Sequence, residues 1–424
     1  MALPASTECH PTWGREYPQY TNSYTTEALS TLLISAQDSR SLTAALDTIN
    51  TICQLGNSHP SPSMDHITLP MLTDLLDTIG DPGQLRFMAE PALISGCVSL
   101  MASVKPSVFQ YEYGYVCFRI LVISLNALIM KDAGCLEETI AHMNDGSAPQ
   151  RLSTFWAASS WLIYQKSQGS QSIIPIKSLS EPILDQLLKL LYHDEKLFLT
   201  VSKRTRSLGL SGLMFALFAY LIATEKRYRS PDGHFKEIIR PYSRIFWRYL
   251  IVTPDSEAEE ITIFDLHSRV TPYTRLYNEK PVDVEDSINL LQALNDRLGS
   301  PRPVSALIVP AMLRFVAPLV VPGCEDLIPT TIERCIGILW NSLSSGHDAA
   351  YARHSVLNFL LYMRDMLMAL KPTQFNNQPW IWEVVDNVVA GDLLDLALRV
   401  FSTSSSFDPS DLQGENERSS SCWR

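Results

Sequence analysis

The sequence predicts an all-α protein, built as a stack of helix pairs or, alternatively, as an irregular helical bundle. Two observations lead there. Apolar residues recur at three and four positions along almost every segment, and alternation of the β type is scarce. The composition adds that much of the chain is buried, because 46% of its residues are hydrophobic and only 19% are charged. At 424 residues it exceeds what one compact core usually covers, which favours several domains or one extended, repetitive core.

Taken in order, Leu42, Leu46, Ile49 and Cys53 mark one helical face, with Ser41 as N-cap and Gly56 as the stop. The same punctuation recurs. Pro70, Pro91, Pro106, Pro149 and Pro182 stand where a first helical turn tolerates proline, and Gly80, Gly134, Gly169, Gly299 and Gly346 follow helical runs. Helices are therefore expected over 25–37, 41–55, 69–79, 91–103, 106–132, 149–167, 181–192 and 203–229. Further ones are expected over 241–251, 284–298, 303–321, 329–345, 348–370, 379–389 and 392–401. Pairs of these return at roughly forty residues, the period of armadillo and HEAT units, although no repeating signature accompanies it. The expected architecture is an armadillo/HEAT-like stack over 24–401, preceded by an extended segment, 1–23. Residues 252–282 read as a long acidic loop and 402–424 as a disordered, Ser-rich tail.

The run from Ser207 to Thr224 carries no charge and is flanked by Lys203, Arg204 and Arg206 on one side and Lys226, Arg227 and Arg229 on the other. As a helix it would be about 27 Å long, enough for a thin bilayer. Ser207, Gly209, Ser211, Gly212, Tyr220 and Thr224 make insertion marginal, and the symmetric basic flanks supply no orientation. Gly209, Gly212, Ala216, Ala219 and Ala223 fall on one stripe that admits a close neighbour. The run reads as the most buried helix of a core, with a single membrane span as the alternative.

No zinc-protease, phosphate-loop, dinucleotide or nucleophile-elbow motif occurs. The histidines are spread singly, and acidic pairs such as Glu137–Glu138 and Glu259–Glu260 are adjacent rather than facing, which suits a solvated surface. No cofactor or metal is expected, and no enzyme. A helical enzyme whose site assembles from distant residues is the third reading. The eight cysteines contain no Cys-x-x-Cys pair, several lie in apolar helical patterns, and neither a secretory leader nor an Asn-x-Ser/Thr acceptor is found. These point to a reducing compartment: the cytoplasm, or the nucleus.

The net charge of −11 argues against general affinity for nucleic acid or anionic lipid. Charge is unevenly placed, however. Residues 200–250 hold ten Lys and Arg against three acids. Arg240, Tyr242, Arg244, Trp247 and Arg248 form a mixed basic and aromatic patch, the candidate site for a protein partner of acidic character. Pro241 is expected to restart the helix there and to leave Arg244 and Arg248 as the secure pair. The bland reading is internal neutralisation by the acids that begin at Asp255. The tryptophans at 156, 161, 247, 340, 380 and 382 read as core residues, or as an aromatic ladder along a groove.

The stretch "AEPALISGCVSLMASVKPSVFQYEYGYVCFRILVISLNALIMK", residues 89–131, resembles a segment of an uncharacterised family of fungal helical proteins. The resemblance covers about a tenth of the chain. It implies a fungal source and transfers no site residues. That family is similar in pattern to armadillo-type folds, whose usual role is protein binding on an extended concave surface. The expected function is a non-enzymatic scaffold that binds a partner peptide or protein on a helical groove.

Overall fold

In the computed structural model, the described residues are 9–25, 39–57, 66–144, 148–168, 178–253 apart from 226 and 229, 256–270, 282–344 apart from 302–303 and 305–307, 349–370 and 378–402. Among them every regular element is helical, and two isolated bridges, His10 with Gly14 and Glu16 with Tyr111, are the only extended pairings. The chain divides into two units, Met1–Leu276 and Tyr277–Arg424, so the run expected over 24–401 is carried in two parts. Residues 26–37 of the expected helix 25–37 and nearly all of the expected tail lie outside the described residues.

The first unit contains α1 (Ser39–Asn57), α2 (Leu69–Asp77), α3 (Pro91–Ser103), α4 (Glu112–Asp132), α5 (Leu136–Asn144), α6 (Ala148–Gln168), α7 (Glu181–His193), α8 (Glu195–Thr205), α9 (Leu210–Glu225), α10 (Arg240–Val252) and α11 (Glu257–Val270). Its core is organised by two helices that touch each other. α4 is buried from Glu112 to Met130 and packs on α2, α3, α5, α6 and α9. α9 is surrounded by α4, α6, α7, α10 and α11. A helix with apolar residues on every side can be stable in a protein only when neighbours cover all of those sides. Of the described helices one, α4, is long and apolar enough to cross a membrane; α9, with 16 residues, is shorter. The apolar run expected as the most buried helix is thus a core helix, and its less apolar neighbour α4 is the longer one.

The segment expected as one helix over 203–229 is two. α8 stops at Thr205 because Arg206 turns left-handed, φ 47°, and Gly209, φ 84°, turns the chain again before α9. Residues 106–111 likewise do not extend α4. They form a short 3-10 turn whose Phe109 amide and Ser107 hydroxyl donate to the Asp194 carboxyl, at 2.7 and 2.8 Å. Ahead of α10, Pro231–His234 is helical and Phe235–Ile239 is a π-turn. The helix thus passes into α10 without the restart expected at Pro241, since the widened turn absorbs the proline's missing donor and its ring.

The second unit contains α12 (Val284–Leu298), α13 (Val309–Val316), α14 (Ile328–Ser344), α15 (Ala349–Ala369), α16 (Pro379–Ala390) and α17 (Leu393–Ser402). Contacts run between alternate helices: α12 with α14, α14 with α16, α13 with α15, and α15 with α17. Within the pairs, α12 touches α13, α14 touches α15, and α16 touches α17. The turn between α16 and α17 is anchored on α14 by the Trp340 indole N–H, which donates to the Gly391 carbonyl at 2.7 Å, and by Asn387, which donates to Pro329 O at 3.0 Å.

Close approach between α4 and α9 is demanded at Gly212, where an added Cβ would stand 2.3 Å from Asn126 Oδ1. Gly212→Leu is therefore expected to destabilise the first unit by about 1–3 kcal/mol. Urea denaturation measures it, and an unchanged midpoint would contradict the contact.

Candidate interaction surface

The basic and aromatic patch expected at the surface is turned inward. Tyr242, Arg244, Trp247 and Arg248 are buried and Arg240 is half-buried. Arg244 and Arg248 do share a face of α10, as their spacing implied, and on that face they meet Glu195 from the first turn of α8. Arg244 Nε and Nη2 donate to the two Glu195 oxygens at 2.7 and 2.6 Å, and Arg248 Nε donates at 3.3 Å. Tyr242 donates to Met214 O of α9. Tyr242, Arg244 and Arg248 thus tie α10 to α8 and α9.

The acidic loop expected over 252–282 contains α11, and its acids are not all solvated. Glu259 is 1% exposed. Its Oε1 accepts from the Ser211 amide at 2.8 Å and from Tyr249 Oη at 2.5 Å; its Oε2 accepts from Ser160 Oγ and Ser211 Oγ at 2.8 and 2.9 Å. The first amides of a helix have no partner within it, and a carboxyl group there both accepts them and suits the positive end of the helix dipole. Glu259 thus caps α9 from another helix. Alongside it, Asn126 Nδ2 donates to Gly209 O at 2.8 Å, Arg119 Nη1 donates to Leu208 O at 3.0 Å, and Ser159 donates to Asn126 Oδ1. The cluster has serines beside a carboxyl group, but every one of these groups is buried and engaged in holding the entry to α9. Among the described residues no group of histidines, cysteines and acids could hold a metal ion.

A second buried carboxyl fixes the N-terminal segment. Glu112 accepts from Arg15 Nε at 2.9 Å and Nη2 at 2.5 Å, and from Tyr24 Oη at 2.8 Å. The Glu112 and Tyr113 amides, first in α4, donate to Arg15 O and Trp13 O. Burial pushes the Glu112 carboxyl upward, but the hydrogen bonds from Arg15 and Tyr24 outweigh it and hold the group below the usual carboxylate range.

The outward-facing apolar residues are concentrated in the second unit. α15 presents Leu357, Leu361 and Met368; α16 presents Trp382, Val385 and Val389; α17 presents Leu394, Leu398 and Phe401. Each set is spaced by three, four or seven residues, or by eleven, and so lies on one stripe of its helix. Trp382 is 63% exposed, Val389 69%, Leu394 77% and Leu398 69%. The same helices bury Trp380 and Val384, and Leu393, Leu396 and Val400. At about 100° per residue, the exposed stripes lie roughly 130–150° around the helix from the buried ones. Both helices are therefore apolar on two opposed faces, one of them uncovered. Elsewhere among the described residues, large exposed apolar side chains are scattered singly, at Leu42, Phe87, Trp161 and Val284. Of the tryptophans, 156, 247 and 380 are core residues, with Arg119 stacked on Trp156.

No protein-family model and no curated protein matches the chain.

Because its folded value is depressed, the Glu112 carboxyl contributes fully above the ordinary glutamate pKa of about 4.3, and its contribution is lost as pH falls through the lower folded value. Hydrogen-exchange protection of residues 13–24 should therefore hold from neutral pH to about pH 4.3 and fall below it, and Glu112→Gln should remove that acid-side loss. Protection that declines already near neutral pH, or that ignores Glu112→Gln, would contradict the assignment.

Proposed function

We propose that the protein is a non-enzymatic interaction scaffold whose binding surface is the outer face of α16 and α17, with α15 beside it. The observation that carries this reading is the double apolar character of the two helices: one stripe of each is used in packing and the other, bearing Trp382 and Leu394, is left to solvent. Contiguous apolar faces of this kind mark partner sites, and an exposed tryptophan among aliphatic side chains has the composition of an interaction hot spot.

The architecture proposed for the second unit is an armadillo/HEAT-like stack of three helix pairs. Support comes from the alternation of contacts, α12–α14–α16 in one row and α13–α15–α17 in the other, joined within each pair. In such stacks every pair is covered by the next, and an end pair needs a polar outer face if it is to stand alone. The pair α16–α17 lacks one. A role in the cytoplasm or nucleus agrees with cysteines that are free throughout the described residues. A fungal source remains part of the proposal on the strength of residues 89–131.

The test is affinity purification of the full chain beside its Leu394→Asp/Leu398→Asp variant, with circular dichroism to establish that both are folded. Loss of specific co-purifying proteins from the folded variant is the expected result. A folded variant that retains every partner of the unaltered chain would overturn the reading.

A further inference from the structure

Exposed acids lie beside the uncovered face of α16 and α17, and Arg353 of α15 stacks on Phe401 at its edge. Glu383 and Asp386 on α16 and Asp392 in the turn are exposed, and among the described residues no cation pairs with them. Asp395 pairs with Arg399 at 2.7 Å, and Arg399, the one basic residue of the two helices, is also drawn back over the Trp340 ring. The pair thus presents four acids against one base, and that base is already engaged.

We infer that the occupant of this face is a basic amphipathic helix of a partner protein, an inference that rests on the interaction surface proposed above. The helical form follows from the stripes. Trp382, Val385 and Val389 on one helix and Leu394, Leu398 and Phe401 on the next flank a line along which the apolar side of a further helix can pack, as each pair of the unit packs on its predecessor. The basic character follows from the acids at the margin. Lys or Arg on the flanks of the incoming helix meets Asp386 and Asp392, with Glu383 further round α16 adding to the negative field, which raises the rate of encounter and fixes orientation. The same acids disfavour the other occupants. A second copy docked face to face brings the four acids and one base of α16, the turn and α17 against themselves, and an anionic lipid surface is repelled by the same acids.

The experiment uses the full chain and a phage-displayed library of random 20-residue peptides, selected on the unaltered chain and counter-selected on Leu394→Asp/Leu398→Asp. The expected yield is peptides of net positive charge with apolar residues at i, i+3 or i+4, and i+7. A synthetic peptide of that kind should bind at least tenfold more weakly to the folded Glu383→Lys/Asp386→Lys/Asp392→Lys chain. If the selected peptides are acidic or neutral, or if charge reversal leaves their affinity unchanged, the face remains an interaction surface but the basic helix is overturned. Sedimentation velocity and flotation with phosphatidylcholine–phosphatidylserine vesicles read the alternatives. A dimer, or vesicle binding, that Leu394→Asp/Leu398→Asp abolishes would overturn the inference in favour of a second copy or a membrane. If no peptide discriminates the two chains and neither assay responds to the substitutions, the interaction surface fails with it.

Discussion

The entry to α9 lies in the middle of the first unit, where its free backbone groups are removed from water. A buried amide or carbonyl without a partner costs about 1–3 kcal/mol, so the surrounding helices must supply polar groups to a core that is otherwise apolar. They do so one by one: Arg119 to Leu208 O, Asn126 to Gly209 O, and Glu259 to the Ser211 amide. Because these groups come from α4 and α11, and Ser160 and Tyr249 bring α6 and α10 to the same carboxyl, satisfying one helix end fixes the relative positions of the neighbours. Gly212 then sits where Asn126 leaves no room for a side chain.

Much of this was legible as a pattern and little as pairing. The three-and-four spacing gave α3 and α12 to the residue, and the small-residue stripe located the close approach at Gly212. It did not give α11, although the helical period is present: its buried positions are Ala258, Glu259, Thr262, Ile263 and Leu266, and two of these are polar, so a hydrophobic reading sees an acidic loop. The left-handed break at Arg206 was hidden because nothing in that residue type announces it. The spacing placed Arg244 and Arg248 on one face, but Glu195, which turns that face inward, stands about fifty residues away in the chain. In α16 both faces are apolar, so periodicity could not say that Trp380 packs and Trp382 is exposed.

The two kinds of polar and apolar signal are thus used opposite to their first appearance. Charges clustered between 195 and 260 hold helix ends and helix pairs inside the first unit, with Arg244, Arg248 and Glu259 all buried. Under the proposed function, binding rests instead on aliphatic and aromatic side chains of the second unit, with the acids beside them as a selective margin. Four of the five residues expected as a basic docking patch are buried, and stripes that read as core in α15, α16 and α17 are exposed.

Chemical denaturation of Glu259→Ala and Leu394→Asp, each followed in the transition of its own unit, tests that division most directly. A loss of about 3 kcal/mol is expected for Glu259→Ala, which strands the Ser211 amide and three hydroxyls, and a change within about 0.5 kcal/mol for Leu394→Asp. A neutral Glu259→Ala together with a Leu394→Asp that unfolds the second unit would contradict it.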